Sequence, residues 1–286
     1  MVEQDLQGRL HSILNKRVDR KVVFGAVVNI QSQDGKFSWL EAAGDMDKDS
    51  QYIIASITKM YTAAIILKLC EESFLKLEDK ISQYLPRDLL VKLHVYKGVD
   101  YSEDLTVYQL MSHTSGLPDY FDEKNSTGKS LYQELLNSRD INWSFEQIIT
   151  ETKKMKPHFK PEARGKAYYS DTNYEILGNI IETVTQKKLT DVFTELIFKP
   201  LHLKNTYVYE TITGNNPPKV YYKNRTISTP AFLSASSASG GIVSTASETM
   251  VFLKAFFNGE LFSKEYLPKL YKWNKLDLKM AGLEYG

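Results

Sequence analysis

The chain has 286 residues, enough for one large domain or two closely packed ones, and its 42% hydrophobic and 25% charged content is ordinary globular usage. Lys and Arg number 36 against 35 Asp and Glu, so the net charge of +1 excludes the basic excess of a dedicated nucleic-acid surface. A single cysteine, Cys70, excludes an intrachain disulfide and a thiolate metal cage, and the five histidines are scattered, with no pair at metal-ligand spacing.

The opening Met1-Val2-Glu3-Gln4-Asp5 is acidic and lacks an apolar signal core. No apolar run approaches the roughly 18 residues of a membrane span. The expected setting is the cytoplasm, or a periplasmic or extracellular one if an export signal has been removed. Leu6, Leu10, Ile13 and Leu14 recur at helical spacing and predict a helix over 3–16. Residues 21–30 and 36–43 predict two strands joined by a turn at Ser32-Gln33-Asp34-Gly35. Ile53-Ile54-Ala55-Ser56 leads into an amphipathic helix with Met60, Ala63, Ala64, Leu67 and Cys70 on one stripe, expected to pack on the face of that hairpin. From 73 to 205 the pattern is mainly helical, broken at Pro86, Ser115–Pro118, 122–130 and Pro161. Residues 206–238 read as irregular, and Gly240-Gly241 precedes a helix over 246–258. The fold class is α+β, with 1–72 and 206–286 forming a sheet-containing part and 73–205 a mainly helical subdomain.

Ser56 and Lys59 stand one helical turn apart on one face, where an amine can take the serine proton and make the oxygen nucleophilic. Free N–H groups and the helix dipole at that position favour developing negative charge. The bare spacing recurs at Ser73/Lys76 and Ser126/Lys129. Only Ser56 joins a strand-like run to a long helix, and the alternative there is a simple helix cap. Further on, Tyr168-Tyr169-Ser170-Asp171-Thr172-Asn173-Tyr174 follows a Pro- and Gly-punctuated loop and enters a helix that Asp171 or Thr172 would cap. A tyrosine at that junction becomes a base only if a cation such as Lys59 stabilises its phenolate. Otherwise Tyr169 is one of 18 tyrosines packing a surface.

Taken together, these segments resemble the serine β-lactamase and penicillin-binding-protein superfamily, in its class C-like branch with D-alanyl-D-alanine carboxypeptidases and esterases. Ser56-Ile57-Thr58-Lys59 looks like the family's S-x-x-K, and Tyr169-Ser170-Asp171 falls at its Y-x-N. The stretches Leu105–Pro118, Pro200–Thr206 and Gly240–Thr245 resemble three framing segments, in the family's order. The resemblance implies a β-lactamase/transpeptidase-like fold, with an antiparallel sheet flanked by helices and a large helical insertion. It implies a serine hydrolase that acylates Ser56, moves protons through Lys59 and Tyr169, and uses the Ser56 N–H in an oxyanion hole. Substrates would be small amides, peptides or esters. Asp171 and Tyr120 are the substrate-contact candidates, and no metal, cofactor or nucleic acid is called for. His113 beside Ser115 reads as a structural corner rather than a catalytic pair.

Two departures stand out. Asp171 replaces an amide with a carboxylate, which only accepts hydrogen bonds. It is therefore expected to pair with Lys59, hold it protonated and shift the base role toward Tyr169. If it merely caps a helix, Asn173 or a water would take the polar role. Nothing after Thr245 fits the family's third motif, and Ala281–Gly286 resembles the run-in to it. The expectation is a chain truncated before the last strands, or completed by another segment. The rival reading is a non-catalytic ligand-binding or scaffold protein that kept the fold.

Overall fold

The structure, a computed structural model, describes residues 2–125, 127–210, 220–222, 225–271 and 274–277. In chain order, helix α1 (Val2–Arg17) leads into strands β1 (Gly25–Gln31) and β2 (Ser38–Gly44), then β3 (Tyr52–Ile53) and α2 (Thr58–Glu71). The middle of the chain holds α3 (Arg87–Leu90), β4 (Val95–Tyr96), β5 (Val99–Asp100), α4 (Val107–Met111), α5 (Leu131–Leu136) and α6 (Phe145–Thr152). After β6 (Lys166–Tyr168) come α7 (Asp171–Thr185) and α8 (Leu189–Phe193), the latter running on into a π-helical turn. The last part contains β7 (Tyr207–Val208), β8 (Val220–Tyr222), β9 (Arg225–Ile227), α9 (Pro230–Ala235), β10 (Ile242–Ser244), α10 (Ala246–Asn258), α11 (Leu267–Leu270) and β11 (Lys275–Asp277).

The predicted hairpin is present, antiparallel from Gly25↔Gly44 to Gln31↔Ser38, with its turn at Ser32–Gly35. Its first strand begins four residues later than the apolar run suggested. Asp19 Oδ1 accepts the N–H groups of Lys21, Val22 and Val23, and Arg20 is left-handed at φ 56°, so the chain turns where its composition is β-rich. The expected packing of α2 on this hairpin is not what forms. The hairpin carries α1 along β2 and α10 along β1, with Trp39, Ala43 and Leu14 buried between them. Helix α2 packs against α7 instead.

The amphipathic stripe expected on α2 is also corrected. Thr58, Lys59, Tyr61, Thr62, Ala63, Ala64, Ile65, Ile66, Leu67 and Leu69 are all buried, so the helix is enclosed on nearly every side. It runs through one hydrophobic cluster that takes residues from α4, α7, α8, β7, β10 and α10. Beside it, β10 pairs antiparallel with β3 on one edge and with β7 on the other. The stretch 206–238, read as irregular, holds four elements, β7, β8, β9 and α9. Helix α9 starts at a proline and is capped from afar, Asp140 accepting from the Ala231 and Phe232 N–H groups at 2.8 and 2.9 Å. Among the described residues no helix is long and apolar enough to cross a membrane. The segment 281–286, read as the approach to a further strand, lies outside the described residues.

Candidate active site

Ser56 sits in a tight turn between β3 and α2. The turn is closed by Ile57 N–H donating to Ile54 O, and Ala55 ahead of the serine is left-handed at φ 47°. That conformation is costly for a residue with a Cβ and persists only where the surroundings impose it. The serine does not cap the helix: the α2 cap position is Ile57, and no side chain closes it. Ser56 is exposed, and Lys59 Nζ lies 3.3 Å from its Oγ, as one helical turn dictates.

Lys59 is fixed from two further directions. Its ammonium donates to Ser239 O at 2.8 Å and pairs with Asp171 Oδ1 at 2.6 Å, with side chains 6% and 14% exposed. The strap that supplies Ser239 is fastened to α2 by Thr62 Oγ1 donating to Ala238 O and by Ile242 N–H donating to Thr58 Oγ1.

The opposite wall begins where β6 meets α7. Ser170, in extended conformation, is the cap residue of α7, so Asp171 is the first helical residue rather than the cap. Its negative charge suits that end of the helix dipole, while its carboxylate reaches Lys59. The junction is tied down by the His113–Pro118 corner. Ser170 Oγ and Thr172 Oγ1 both donate to Pro118 O, and Ser115 Oγ donates to Asn173 Oδ1. Asn173 is therefore buried and does not face the cleft.

His113 serves this corner. Its Nδ1 accepts the Ser170 N–H at 3.2 Å, which puts the imidazole proton on Nε2, and burial followed by the nearby Lys59 charge lowers its pKa to about 3. The neutral ring stacks on Tyr169 with centroids 4.6 Å apart. Lys59 Nζ lies 4.9 Å from the Tyr169 ring centroid, and both Lys59 and Ser56 are hydrogen-bonding neighbours of the Tyr169 hydroxyl.

Burial alone would push Lys59 down, but the charge of Asp171, reinforced by Tyr169, holds its pKa above the ordinary lysine value. For Tyr169, burial raises the phenol, and Lys59 offsets only part of that rise. Three more carboxyls surround Asp171. Burial and the charges of Asp171 and Asp122 push Asp119 well up, and burial holds Glu175 at about 8, so Glu175 is protonated at neutral pH. Asp122, raised by burial and by Asp171 to about 6, is largely ionised there.

Ser56 opens onto two cavities. One of about 700 Å³ also meets Lys59, His113, Tyr169, Met60 and Phe257. The other, of about 300 Å³, meets Asp171, Phe121, Phe232 and Ser239. The structure thus gathers Ser56, Lys59, Tyr169 and Asp171, but not Tyr120. That side chain is 1% exposed, packed with Leu131 and Ile148 and close to Trp143, so it belongs to the core. Its neighbour Phe121 faces the cavity, one residue out of register with the expectation. Ser73 ends α2 at a left-handed position, and Ser126 lies outside the described residues. The sequence reading missed Asp122, Ser239, Phe232 and Glu175. Only Glu175 carried a local signal, four residues after Asp171 on the same face of α7.

An antiparallel sheet flanked by helices, with a serine one turn ahead of a buried lysine and a tyrosine across from them, defines the serine β-lactamase and penicillin-binding-protein class. The profile of the Beta-lactamase family matches residues 11–282, and the chain belongs to that family. It is 32% identical over 217 residues to Protein flp of Staphylococcus aureus (strain NCTC 8325 / PS 47), covering 72% of this chain but only 39% of that relative's length. Among solved structures it resembles a D-stereospecific amidohydrolase from Streptomyces sp. The TM-score is 0.76 at 26% identity, over 93% of this chain and 77% of the other. It also resembles the D-amino acid amidase of Ochrobactrum anthropi SV3 complexed with L-phenylalanine. There the TM-score is 0.72 at 25% identity, over 92% and 72% of the two chains.

Proposed function

We propose that the chain is a serine hydrolase that forms an acyl-enzyme at Ser56 on a small amide or ester. The observation that carries this reading is the convergence on one oxygen. Lys59 Nζ lies 3.3 Å from Ser56 Oγ, and the Tyr169 hydroxyl is a hydrogen-bonding neighbour of both side chains. Because Asp171 holds Lys59 protonated, the ammonium acts as a fixed charge and Tyr169, once ionised, takes the serine proton. Ser56 Oγ then bonds to the carbonyl carbon while the carbonyl π pair moves onto its oxygen. Collapse breaks the bond to the amine or alcohol, which leaves with the proton carried by Tyr169. Water repeats the sequence on the acyl-enzyme and releases the acid. The amidase neighbours support an amide substrate beside an ester. In this reading, the described parts of 1–72 and 206–286 supply the nucleophile's wall and those of 73–205 the wall of Tyr169 and Asp171.

Hydrolysis of p-nitrophenyl butyrate tests it. Ser56→Ala and Lys59→Met should each lower kcat/KM by about 10³ or more, while Ser73→Ala leaves it unchanged. Retention of a tenth of wild-type activity by Ser56→Ala would overturn the assignment.

A further inference from the structure

We infer that the cavity of about 700 Å³ receives the leaving half of the substrate, and that this half is an uncharged alcohol or amine carrying an extended apolar group. The inference rests on the serine-hydrolase reading and names the substrate class of that site. Among the described residues Ser56 is the only one that lines both cavities. A scissile carbonyl placed on its Oγ therefore sends one half of the substrate each way. Tyr169 and Lys59 line the larger cavity and not the smaller. The departing oxygen or nitrogen takes the proton carried by Tyr169 as its bond to the carbonyl carbon breaks, so the leaving half lies on that side.

The wall sets the chemistry of that half. Ser56, Lys59, Met60 and Ala63 recur at helical spacing and all line the cavity, which therefore follows α2 for about 10 Å from the nucleophile. Met111, Phe256, Phe257 and Leu270 add to the wall, Phe256 and Phe257 meeting edge-on at 5.2 Å. Its polar side chains are turned onto the protein itself. Ser112 Oγ donates to Tyr108 O at 2.7 Å, and the Tyr174 hydroxyl donates to Met111 O at 3.0 Å. Lys59 is matched by Asp171, and Lys269, the other charged residue of the wall, by Glu78 Oε1 at 3.6 Å. A leaving group with a charge of its own would lose its water there without an unmatched partner in return. An apolar one buries its surface against Met60 and Met111 and covers Phe257 and Tyr271, which are otherwise exposed. The volume lies well inside the range of ligand pockets, about 300–1,000 Å³, and exceeds what a methyl or ethyl group fills.

Two ester series, hydrolysed by the whole chain, test it: the butyrates of ethanol, butanol and hexanol, and the ethyl esters of acetic, butyric and hexanoic acids. These alcohols differ little in leaving ability, so kcat/KM along the first series reads the cavity. It should rise about threefold per added methylene, and by about fiftyfold or more from ethyl to hexyl butyrate. Met60→Trp fills the cavity one turn from Ser56. It should lower the hexyl-to-ethyl ratio by about fivefold or more, while the hexanoate-to-acetate ratio moves by less than about twofold. Phe257→Ala, at an exposed position, should lower the hexyl-to-ethyl ratio by about threefold and decides alone if Met60→Trp fails to fold. A flat alcohol series, or a loss that falls on the acid series instead, would overturn the inference. Fluorophosphonate labelling of the wild-type chain separates the two readings. An adduct on Ser56 with a flat alcohol series, or with no turnover of either series, sinks the pocket alone. No adduct and no turnover sinks the hydrolase and the pocket with it.

Discussion

The 2.6 Å pair between Lys59 and Asp171 is almost withdrawn from water, so the state of each group depends on the other. Lys59 has its pKa raised on folding. The stability it contributes is therefore fully present below the ordinary lysine value, near 10.4, and is lost as pH rises through the higher folded value. Between pH 6 and 9 the pair is intact, and its effect is on catalysis. With both Lys59 and Tyr169 holding their protons, acylation should climb steadily with pH through about 7–10. Asp171→Asn removes the largest upward influence on Lys59 and leaves burial to lower it. The rising limb should then shift by about one pH unit or more toward acid. Rates of ester hydrolysis from pH 6 to 10 check this, and an unshifted limb would reduce Asp171 to a helix-end residue. Ser56 and Lys59 were legible because helical spacing fixes their meeting, whereas the pairing of Asp171 with Lys59 came only from the family resemblance and the chemistry of a carboxylate beside an ammonium. Tyr120 was not, because nothing local distinguishes the ring that faces the core from Phe121, which faces the cavity.

Helix α7 and the strap 236–241 meet at Gly178, where an added Cβ would lie 2.6 Å from Ala238 Cβ and 3.2 Å from Leu189 Cδ2. The strap also delivers the Ser239 carbonyl to Lys59. Gly178→Ala should therefore destabilise the chain by about 1–3 kcal/mol, the usual range for overpacking. It should also cost more activity than that loss explains, because the carbonyl is displaced from the ammonium. Urea unfolding and kcat measured on the folded fraction check it; unchanged values in both would contradict the packing. Helices α7 and α10 were readable in the sequence, although α7 has Ser170 at its cap rather than Asp171 or Thr172. The stripe assigned to α2 failed for a physical reason: a helix enclosed on nearly every side has no polar face for periodicity to report. Helix α9 escaped because its cap, Asp140, is about 90 residues away in sequence.

The hydrophobic cluster around α2 joins residues from Ile54 to Phe262, so the described chain should unfold in one cooperative step. Glu175 gives that unfolding a pH dependence. Its folded pKa, raised from 4.5 to about 8, means that its contribution is complete below pH 4.5 and is lost as pH rises toward 8. Glu175→Gln should flatten the fall in Tm between pH 5 and 8 by several degrees, read by calorimetry. An unchanged slope would show that Glu175 ionises freely. The order of the motifs along the chain was enough to recognise the fold. The packing of the first hairpin was not legible, because α10, which lies along β1, is more than 200 residues downstream. The central claim is that Ser56 is the nucleophile, and its most direct test is to label the chain with a fluorophosphonate and map the adduct by peptide mass spectrometry. A single adduct on Ser56, abolished by Ser56→Ala, is the predicted result; an adduct on Ser73 or Ser115 with Ser56 unmodified would contradict it.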